Sequence, residues 1–533
     1  MSASAQPDPV GVGPSTRPGT RDRSDGMGLP WTDPRLTVLL WLFCLLIFVR
    51  NAWVCEDAFI TYRVADNLVR GYGLRWNPLE RVQVYTHPLW MMLVSALHFF
   101  ARDVYFSAIV LSLACSGLTV WLLLSRVMVT TAKGLLVVVL LTFSKAFIDF
   151  SSSGLENPLS HLLLVLFFVE VLKPEEQRSF RKMIRWAALL LVTRMDLVWL
   201  VLPSIVHLTL RHEYWRSRHW RIWIGLWPYA AWEAFSLFYY GFFFPNSAYA
   251  KLAIHLPLRA LADQGLSYLL NSLAWDPLTL FALAVLVLVA LCRFRTDRAI
   301  AMLGLGVVLH LAYVVRVGGD YMTGRFLSAP FLVSLLVISR VSFESTAQFC
   351  TVMGIAVAVG VSAPRPPILM RDEYVGLGSS PQRVDDERGY RYETSLLRQN
   401  PFQHIGNLGG WVADGVAARR DHVRVIVYRN IGYFGFFAGP EVHIIDPYGI
   451  GDPLMARMPF TETTGSWAAG HYMRTVPEGY PEAAIGTGEI ADHAVADYWR
   501  KLTLVIRGPL FDLARLRQIA RFNLGLDPPP LTP

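Results

Sequence analysis

Two adjacent carboxylates, Glu56 and Asp57, follow directly on the apolar stretch "LTVLLWLFCLLIFV" (36–49). Neighbouring acids at the end of an apolar segment repel each other, so their pairing needs a reason. One carboxylate can deprotonate or orient a hydroxyl nucleophile while the other binds substrate or tunes its neighbour's pKa. The alternative is capping, because acids are favoured at the start of the following helix. Capping needs only one acid, which favours a chemical role for the pair.

Further polar residues lie in short segments between apolar runs. His87 in "RVQVYTHPLW" could bind a phosphate or a sugar, or belong to an aromatic-belt turn. Glu156 in "SGLEN" is either a site acid or a helix-start carboxylate. Arg194 and Asp196 in "TRMD" are charges at membrane depth, which usually either pair with each other or do chemical work.

Two cations accompany these acids. Lys251 in "FFFPNSAYAK" and Arg325 in "GGDYMTGR" suit a lipid-linked phosphate, and Asp320 could hydrogen-bond a sugar. The alternative for each cation is a snorkelling side chain at the membrane edge. Singly, each residue fits its structural alternative. On the same side of the membrane, these residues together form a set of carboxylates and cations. Helix capping, ion pairing and snorkelling explain such a set less well.

The composition indicates an integral membrane protein. Of the 533 residues, 53% are hydrophobic and only 17% are charged, against about 25% charged in soluble domains. The net charge of +8 comes mainly from short basic loops, which indicates membrane orientation and not nucleic-acid binding. The five cysteines show no spacing typical of zinc sites or disulfide frameworks.

The basic loops fix a predicted topology. The positive-inside rule places 126–133, 173–185, 211–221 and 293–298 in the cytoplasm. About eleven membrane spans then follow, at 36–53, 104–126, 134–150, 158–172, 186–196, 197–210, 222–243, 276–293, 299–317, 325–340 and 347–363. The apolar run 88–100 is too short for a span and is predicted to be an outer-leaflet or re-entrant helix.

Three regions result from this topology. Residues 1–34 form a disordered cytoplasmic tail, 35–363 a transmembrane domain, and 364–533 an extracytoplasmic α/β domain. The first outer loop, 55–103, is predicted to contain an amphipathic helix on the outer leaflet, with Arg63 on its polar face. In the last region, 422–452 reads as strand, glycine-rich turn and second strand. The protein is therefore expected in the plasma membrane with a cytoplasmic N-terminus.

The stretch "EDAFITYRVADNLVRGYGLRWNPLERVQVYTHPLW" (56–90) resembles the first outer loop of polytopic GT-C glycosyltransferases. It is most similar to the AftB-like terminal arabinofuranosyltransferases of mycobacterial and corynebacterial cell walls. The similarity continues through "SGLEN", "YYGFFFPNSAYAK", "VGGDYMTGRF" and, in the tail, "GYFGFFAGPEVHIIDPYGIGDPLMARMP" and "VPEGY". It covers nearly the whole chain after the first region, and the first loop with the "GGDxMxGRF" pattern is its most specific part.

The resemblance implies a GT-C fold and transfer of arabinofuranose from decaprenylphosphoryl-arabinofuranose to the arabinan of arabinogalactan or lipoarabinomannan, in terminal β-(1→2) linkages. The family's catalytic acids map onto Glu56 and Asp57. Expected donor contacts are Arg325, Lys251, Arg194, His87 and Tyr62, and expected substrate contacts are Glu156, Asp196, Asn246 and Asp320. No metal ligand and no nucleotide cofactor is predicted, although a divalent metal is left open. Many relatives have Asp in place of Glu56, which leaves open which acid acts.

The sequence is compatible with more than one mechanism and function. Net retention of configuration requires either a covalent intermediate on a carboxylate or front-side attack. The resemblance implies that the tail, 364–533, binds the polysaccharide acceptor. Its aromatic residues Trp411, Tyr433, Trp467 and Tyr472 either stack on acceptor sugars or form core. The rival functions are an arabinosyltransferase with a pilin acceptor, a non-catalytic membrane assembly factor, and a transporter. The lack of repeated acids and bases in the two halves argues against the transporter.

Overall fold

The computed structural model describes residues 33–128, 130–210, 224–252, 254, 256–369, 383–391, 394–398, 410–460 and 467–530. The predicted cytoplasmic tail, apart from its last two residues, and the basic segment 211–221 lie outside these residues. The described part of the chain is mainly helical. Apolar runs form helices because a helix satisfies its own backbone hydrogen bonds where water is absent.

Sixteen α-helices of the described residues precede the tail, and the helix at 258–275 lies in a segment where no span was predicted. In chain order they are α1 (Pro34–Asn51), α2 (Ala58–Val69), α3 (Pro88–Ala101), α4 (Val104–Leu122), α5 (Thr131–Phe143), α6 (Lys145–Asp149), α7 (Asn157–Leu172), α8 (Phe180–Thr193), α9 (Val198–Thr209), α10 (Trp227–Tyr239), α11 (Asn246–Leu252), α12 (Leu258–Trp275), α13 (Pro277–Cys292), α14 (Arg298–Arg316), α15 (Ser328–Leu336) and α16 (Thr346–Val361). Every one of the eleven predicted spans contains a helix.

One predicted span is broken. The segment 134–150 divides at Ser144 into α5 and α6, because the Ser144 hydroxyl accepts a hydrogen bond of 3.1 Å from the Phe147 amide and starts a new helix. The short helix α6 carries Lys145 and Asp149, which are both buried. The predicted hairpin 186–210 does turn at "TRMD", between α8 and α9.

Length and composition qualify only some helices as full membrane spans. Among the described residues these are α1, the helical run Val104–Val127 and α14, or four if α12 and α13, bent by 112° at their junction, count as one. Five further apolar helices, including α3 and α7, have 10–17 residues. A helix needs about 20 residues to cross a bilayer core. The chain is thus a membrane protein with several candidate spans, and the number of eleven crossings stays a prediction.

The helices have two chemically different ends. Lys173, Arg178, Arg298 and Arg340, from or beside the predicted cytoplasmic loops, line one cavity together. Because α7 ends at Leu172 and α14 begins at Arg298, this basic end lies one helix length from Glu156 and Val317. The polar segments around Glu156 and Asp320 therefore lie at the opposite end of these helices.

The tail contains α17 (Glu387–Tyr390), α18 (Gly410–Arg420), β1 (Val425–Val427), α19 (Tyr433–Ala438), β2 (His443–Ile445), α20 (Tyr480–Ala484), α21 (His493–Arg507) and α22 (Leu513–Asn523). Strands β1 and β2 pair in parallel, with Val425 opposite His443. The two strands were predicted, but the glycine-rich turn between them is in fact the helix α19. A parallel pair needs such a crossover, since a tight turn can join only antiparallel strands.

Helix α2 is not a surface helix, so the prediction of an outer-leaflet position for it was wrong. Arg63 is only 2% exposed, and Asn67 is 1% exposed. The Arg63 guanidinium donates to the Trp76 carbonyl at 2.9 Å, to the Val442 carbonyl at 2.9 Å and to the Gly435 carbonyl. The polar face of α2 is covered because the tail packs on it and supplies backbone hydrogen-bond acceptors. The first outer loop and the tail are therefore packed together and joined by buried hydrogen bonds.

Candidate functional site

Glu56 binds the start of helix α19. Its Oε1 accepts hydrogen bonds from the backbone amides of Gly432 at 2.7 Å and Tyr433 at 3.1 Å. A side chain at Gly432 would place its Cβ 2.6 Å from the Glu56 carboxyl carbon, so glycine is required for this approach. Burial, reinforced by the charge of Asp57, raises the pKa of Glu56 to about 8. Glu56 is thus an anchor for the tail.

Asp57 occupies the N-cap position of α2, but its side chain makes no capping hydrogen bond. The capping explanation for the second acid therefore does not hold. The Asp57 side chain is half-buried and lines a cavity with an empty volume of about 1040 Å³. We call this space the acid cavity, because its wall contains Glu56, Asp57, Asp385, Asp386 and Glu387. The two adjacent acids of the sequence thus have different surroundings.

Glu387 is a second buried carboxylate of the acid cavity. Its Oε1 lies 3.5 Å from the Arg391 Nε. Burial raises the pKa of Glu387 to about 7, since Arg391 opposes the shift only in part and the charge of Asp57 adds to it. A carboxyl group with this pKa exchanges protons near neutral pH, as general acid–base catalysis requires.

A second cavity, with an empty volume of about 1360 Å³, gathers six of the predicted site residues. We call it the cation cavity, and its lining includes Glu156, Arg194, Asp196, Lys251, Asp320 and Arg325. These residues come from four separate segments of the chain. The structure thus brings together the polar residues that the sequence placed on one face.

Glu156 is the centre of the charges in the cation cavity. Its carboxylate lies 3.0 Å from His87 Nδ1, 3.3 Å from an Arg194 nitrogen and 3.6 Å from an Arg325 nitrogen. Burial opposes ionisation of Glu156, but His87, Arg325 and Arg194 outweigh it and hold its pKa well below the usual range. Glu156 is therefore ionised, and it orients the two arginines.

The three cations differ in how far they are neutralised. Arg194 forms a two-pronged pair with Asp196, at 3.0 and 2.7 Å, so the structural explanation of "TRMD" holds in part. Arg325 lies 3.3 Å from Asp320, while its Nε is buried without a hydrogen-bond partner in the described part of the chain. Among the residues described, Lys251 forms no ion pair with a carboxylate, and its side chain lines the cation cavity. Lys251 and Arg325 can therefore take an anionic ligand.

The two cavities share a wall. In the loop after α14, Asp320 lines the cation cavity and the next residue, Tyr321, lines the acid cavity. In the tail, Gly470 lines the cation cavity and His471 the acid cavity. The Tyr321 and His471 rings meet edge to face, with centroids 4.7 Å apart. Tyr321 and His471 therefore stand between the two cavities, and Asp57 lines the acid cavity.

Three predicted site residues lie elsewhere. Tyr62 is fully buried in the core and lines neither cavity. His87 lies behind the cation cavity, where it joins Glu156 to the Thr61 hydroxyl at 2.8 Å. Asn246 donates to the carbonyls of Gly449 at 2.8 Å and Asp452 at 2.9 Å, so it holds the tail. These three side chains lie outside the linings of both cavities, and their contact with substrate stays a prediction.

Sequence reasoning missed Glu387 and His471. The run of three carboxylates in "VDDERGY" (384–390) was the available signal for Glu387. It also missed a buried network in which Lys145 lies 2.5 Å from Asp149 and 2.9 Å from Asp386, while Arg388 lies 3.2 Å from Asp149. This network fixes the segment that carries Glu387 to helix α6. Lys145 and Asp149 lie within the apolar run 134–150, which was predicted to be a membrane span.

The tail aromatics divide between core and cavities. Trp411 lines the acid cavity and Tyr472 the cation cavity. Tyr433 is fully buried, and Trp467 lines neither cavity but packs on Tyr472 with ring centroids 5.8 Å apart. The described residues contain no group of three or more His, Cys, Asp or Glu side chains placed to hold a metal ion.

Fold and site define a helical membrane protein in which a carboxylate cavity adjoins a cationic cavity at one end of the helices. The chain is similar to two curated proteins named terminal β-(1→2)-arabinofuranosyltransferase. It is 28% identical to the one from Corynebacterium glutamicum over 341 residues, which cover 54% of this chain and 48% of that protein. It is 26% identical to the one from Mycobacterium tuberculosis over 546 residues, which cover 83% of this chain and 85% of that protein.

The match thus spans about half the length of the first relative and most of the second. No family model and no solved structure matches the chain. The two relatives confirm the resemblance to arabinofuranosyltransferases that the first outer loop indicated.

Proposed function

We propose that this protein is a membrane glycosyltransferase that transfers D-arabinofuranose from decaprenylphosphoryl-arabinofuranose to cell-wall arabinan, with formation of terminal β-(1→2) linkages. The observation that carries the proposal is the position of Asp57, a carboxylate without a capping hydrogen bond, in an acid cavity that adjoins a cation cavity. The names of both relatives agree with this activity.

The cation cavity suits a lipid-linked phosphate. In the described part of the chain, Lys251 Nζ has no ion-pair partner and Arg325 Nε has no hydrogen-bond partner, and charge-assisted hydrogen bonds to phosphate are strong. The apolar part of the wall includes Trp199, Phe244 and Tyr313, which can contact a prenyl chain. Glu156 keeps both arginines in place, and its own negative charge is already balanced by them.

Asp57 is the proposed catalytic residue. It can accept the proton of the acceptor hydroxyl during front-side displacement of the phosphate. It can instead attack the anomeric carbon, with release of the lipid phosphate, and form a glycosyl ester that the acceptor hydroxyl then displaces. Both routes retain configuration. The phosphodiester leaving group needs little acid assistance, because its phosphate is a weak base.

Glu56 is a proposed positioning residue. Its carboxyl oxygen is occupied by two amides of the tail, and its raised pKa makes it a poor anion at neutral pH. We assign the GT-C fold, the arrangement with about eleven crossings, the extracytoplasmic side of the tail and the cytoplasmic N-terminus as parts of the same proposal. They place the site on the face where a lipid-linked donor and a wall polysaccharide meet.

The test is a transfer assay with the full chain in liposomes. Synthetic decaprenylphosphoryl-arabinofuranose serves as donor and an α-linked oligoarabinofuranoside as acceptor, and products are identified by mass spectrometry and linkage analysis. We expect β-(1→2) products from the wild type and a rate about 10²–10⁴-fold lower from Asp57→Ala. Transfer by Asp57→Ala at the wild-type rate would overturn the catalytic assignment, and inactivity of a folded wild type would overturn the function.

A further inference from the structure

Helix α22, the last described helix of the tail, carries an apolar stripe on its exposed side. Leu513 is 67% exposed, and Leu524, which directly follows the helix, is 72% exposed. With about 3.6 residues per turn, these two leucines fall on one side of the helix together with Leu516 and Ala520. Phe511, just before the helix, is 82% exposed. A protein surface in water rarely presents so many large apolar side chains together, so the stripe marks a contact surface.

The opposite side of α22 is fixed to the end of helix α10. The fully buried Arg515 donates to the carbonyls of Phe238 at 2.8 Å and Tyr239 at 3.0 Å. Asn523, further along α22, donates to the Gly241 carbonyl at 2.8 Å. These two contacts lie about 12 Å apart along the helix axis, since each residue adds about 1.5 Å. Helix α22 therefore lies across the end of α10 and does not project away from it.

Helix α10 belongs to the apolar segment 222–243, which was predicted to cross the membrane. Its exposed surface is apolar at both ends. Trp227 is exposed where α10 begins, and Phe243 and Phe244 are exposed just after it ends. Exposed aromatic side chains at the ends of such a segment are typical of the boundary between lipid and water. The end of α10 to which α22 is fixed is therefore expected at the membrane surface.

Two aromatic contacts connect the surface of α10 to the stripe. At one end of α22, the Phe511 ring packs on the Phe238 ring, with centroids 5.3 Å apart. At the other end, the rings of Phe522 and Phe242 lie 5.9 Å apart. The exposed residues beside these contacts are apolar on both helices. The stripe thus continues the apolar surface of a predicted membrane helix onto the tail.

Basic side chains border the stripe. Arg517 is exposed and lies one turn after Leu513 on the helix surface. Arg521 follows one turn later, 2.7 Å from the Asp527 carboxylate. An apolar stripe bordered by basic residues is typical of helices that lie between lipid headgroups and acyl chains. Since the stripe begins where a predicted membrane helix ends, the bilayer is the apolar surface that adjoins it.

We propose that α22 is an interfacial helix, in which Phe511, Leu513, Leu516 and Leu524 enter the leaflet at which α10 ends and Arg517 lies beside lipid phosphates. Helix α22 thereby takes the position that the sequence indicated for α2. The stripe lines neither cavity, and the proposal does not depend on the reaction that the protein performs. The contact holds the tail against the membrane, in addition to its bonds with the first outer loop.

Spin labels test whether the stripe lies in lipid. The exposed Cys292 and Cys350 are replaced by alanine, and Leu513→Cys, Leu524→Cys and the tail control Glu489→Cys each add one labelling site at an exposed position. The full chain is reconstituted with one copy per phosphatidylcholine nanodisc. EPR then measures collisions of each label with oxygen, which concentrates in acyl chains, and with a water-soluble nickel complex. We expect a higher ratio of oxygen to nickel collisions at 513 and 524 than at 489.

Lipid charge tests the role of Arg517. Phosphatidylglycerol adds negative headgroups to the same nanodiscs, and Arg517 should then draw the helix closer to the membrane. We expect phosphatidylglycerol to lower nickel collisions at 513 when Arg517 is present, and to leave them unchanged in Arg517→Gln. An equal response of the two proteins would overturn the contact between Arg517 and lipid phosphates.

The labels distinguish lipid from the other surroundings that the stripe could have. Nickel collisions as frequent at 513 and 524 as at 489 would show that the stripe faces water, and would overturn the proposal. Immobile labels shielded from both oxygen and the nickel complex would show that protein covers the stripe, which would also overturn the lipid contact.

Discussion

The Glu56 carboxylate accepts a hydrogen bond of 2.7 Å from the backbone amide of Gly432, a residue 376 positions further along the chain. This bond joins the turn between α1 and α2 to the start of α19 in the tail. It also separates the roles of two adjacent acids. Both acids line the acid cavity, but Glu56 is hydrogen-bonded to the tail, whereas Asp57 makes no capping hydrogen bond.

Substitution of Glu56 tests the anchor. Glu56→Ala removes the acceptor for two buried amides and should destabilise the protein by about 1–3 kcal/mol. Glu56→Gln keeps a carbonyl oxygen at the same place and should preserve the fold. Thermal unfolding in detergent measures both. Equal stability of the Ala variant and the wild type at all pH values would contradict the anchor role.

The same residue predicts a pH dependence. The pKa of Glu56 is raised from 4.5 to about 8 in the folded protein, so the native state holds the proton more tightly than the unfolded chain. Its contribution to stability is present in full below the unfolded pKa and is lost as the pH rises towards 8. The difference in unfolding midpoint between the wild type and Glu56→Gln should therefore decrease as the pH is raised from 5 to 9. If the unfolding midpoints of the two proteins changed with pH in parallel, this prediction would be refuted.

Asp57 should separate activity from stability. Because its side chain caps no helix, Asp57→Ala should lower kcat by about 10²–10⁴-fold with an unchanged unfolding midpoint. The control is Asp103→Ala, at the N-cap of α4, where the carboxylate accepts from the Phe106 amide at 3.0 Å. That variant should lose about 1 kcal/mol of stability and keep its kcat. An Asp57→Ala protein that unfolds earlier yet transfers normally would show that Asp57 is structural.

Lys251 should act on the donor alone. Its ammonium group has no carboxylate partner among the described residues, so Lys251→Ala removes a phosphate contact and little else. We expect the donor KM to rise about tenfold or more, with the acceptor KM and unfolding midpoint unchanged. Lys182→Ala, an exposed lysine of α8 at the basic end, is the matched control and should change neither KM. A change confined to the acceptor KM would exclude Lys251 from the phosphate site.

Glu156 is predicted to be a structural requirement of the cation cavity. Glu156→Gln leaves Arg194 and Arg325 partly unpaired in a buried site and should cost about 3–5 kcal/mol. Since the folded pKa of Glu156 lies below its unfolded value, its contribution is present above about pH 4.5 and is lost as the pH falls through the folded pKa. Denaturant titration at pH 7 and pH 4 measures both effects. A variant as stable as the wild type at pH 7 would contradict the assignment.

Arg63 should be essential for the union of the first outer loop with the tail. Arg63→Met keeps the stem but leaves three buried carbonyls without their donor, which should cost about 3 kcal/mol or more. Arg70→Met on the same helix is the control, because Arg70 forms an exposed pair with Asp66 and should cost under about 1 kcal/mol. Protease protection of the tail, compared between the two variants, gives the readout. Similar protection in both would mean that the tail is held by other contacts.

Much of the fold could be predicted from the sequence. The apolar runs placed helices correctly because the backbone of a membrane segment must satisfy its hydrogen bonds within the segment itself. Polar residues such as Glu156, Arg194, Lys251 and Arg325 were identified as a set for a related reason. A charge beside an apolar helix is costly, so its presence is a signal that a single sequence shows.

Other features depended on the tertiary structure. Glu387 and His471 reach Asp57 only because the tail folds back on the first outer loop, and no local pattern records such a contact. The burial of Arg63 and the break at Ser144 also escaped prediction, since distant carbonyls and buried partners compensate for their cost. By itself the sequence determined the helices and the unusual charges, through local hydrogen bonding and the cost of burying charge. Only the packing of distant segments decided that Glu56 holds the tail, that Asp57 faces a cavity, and that acids and cations occupy two spaces.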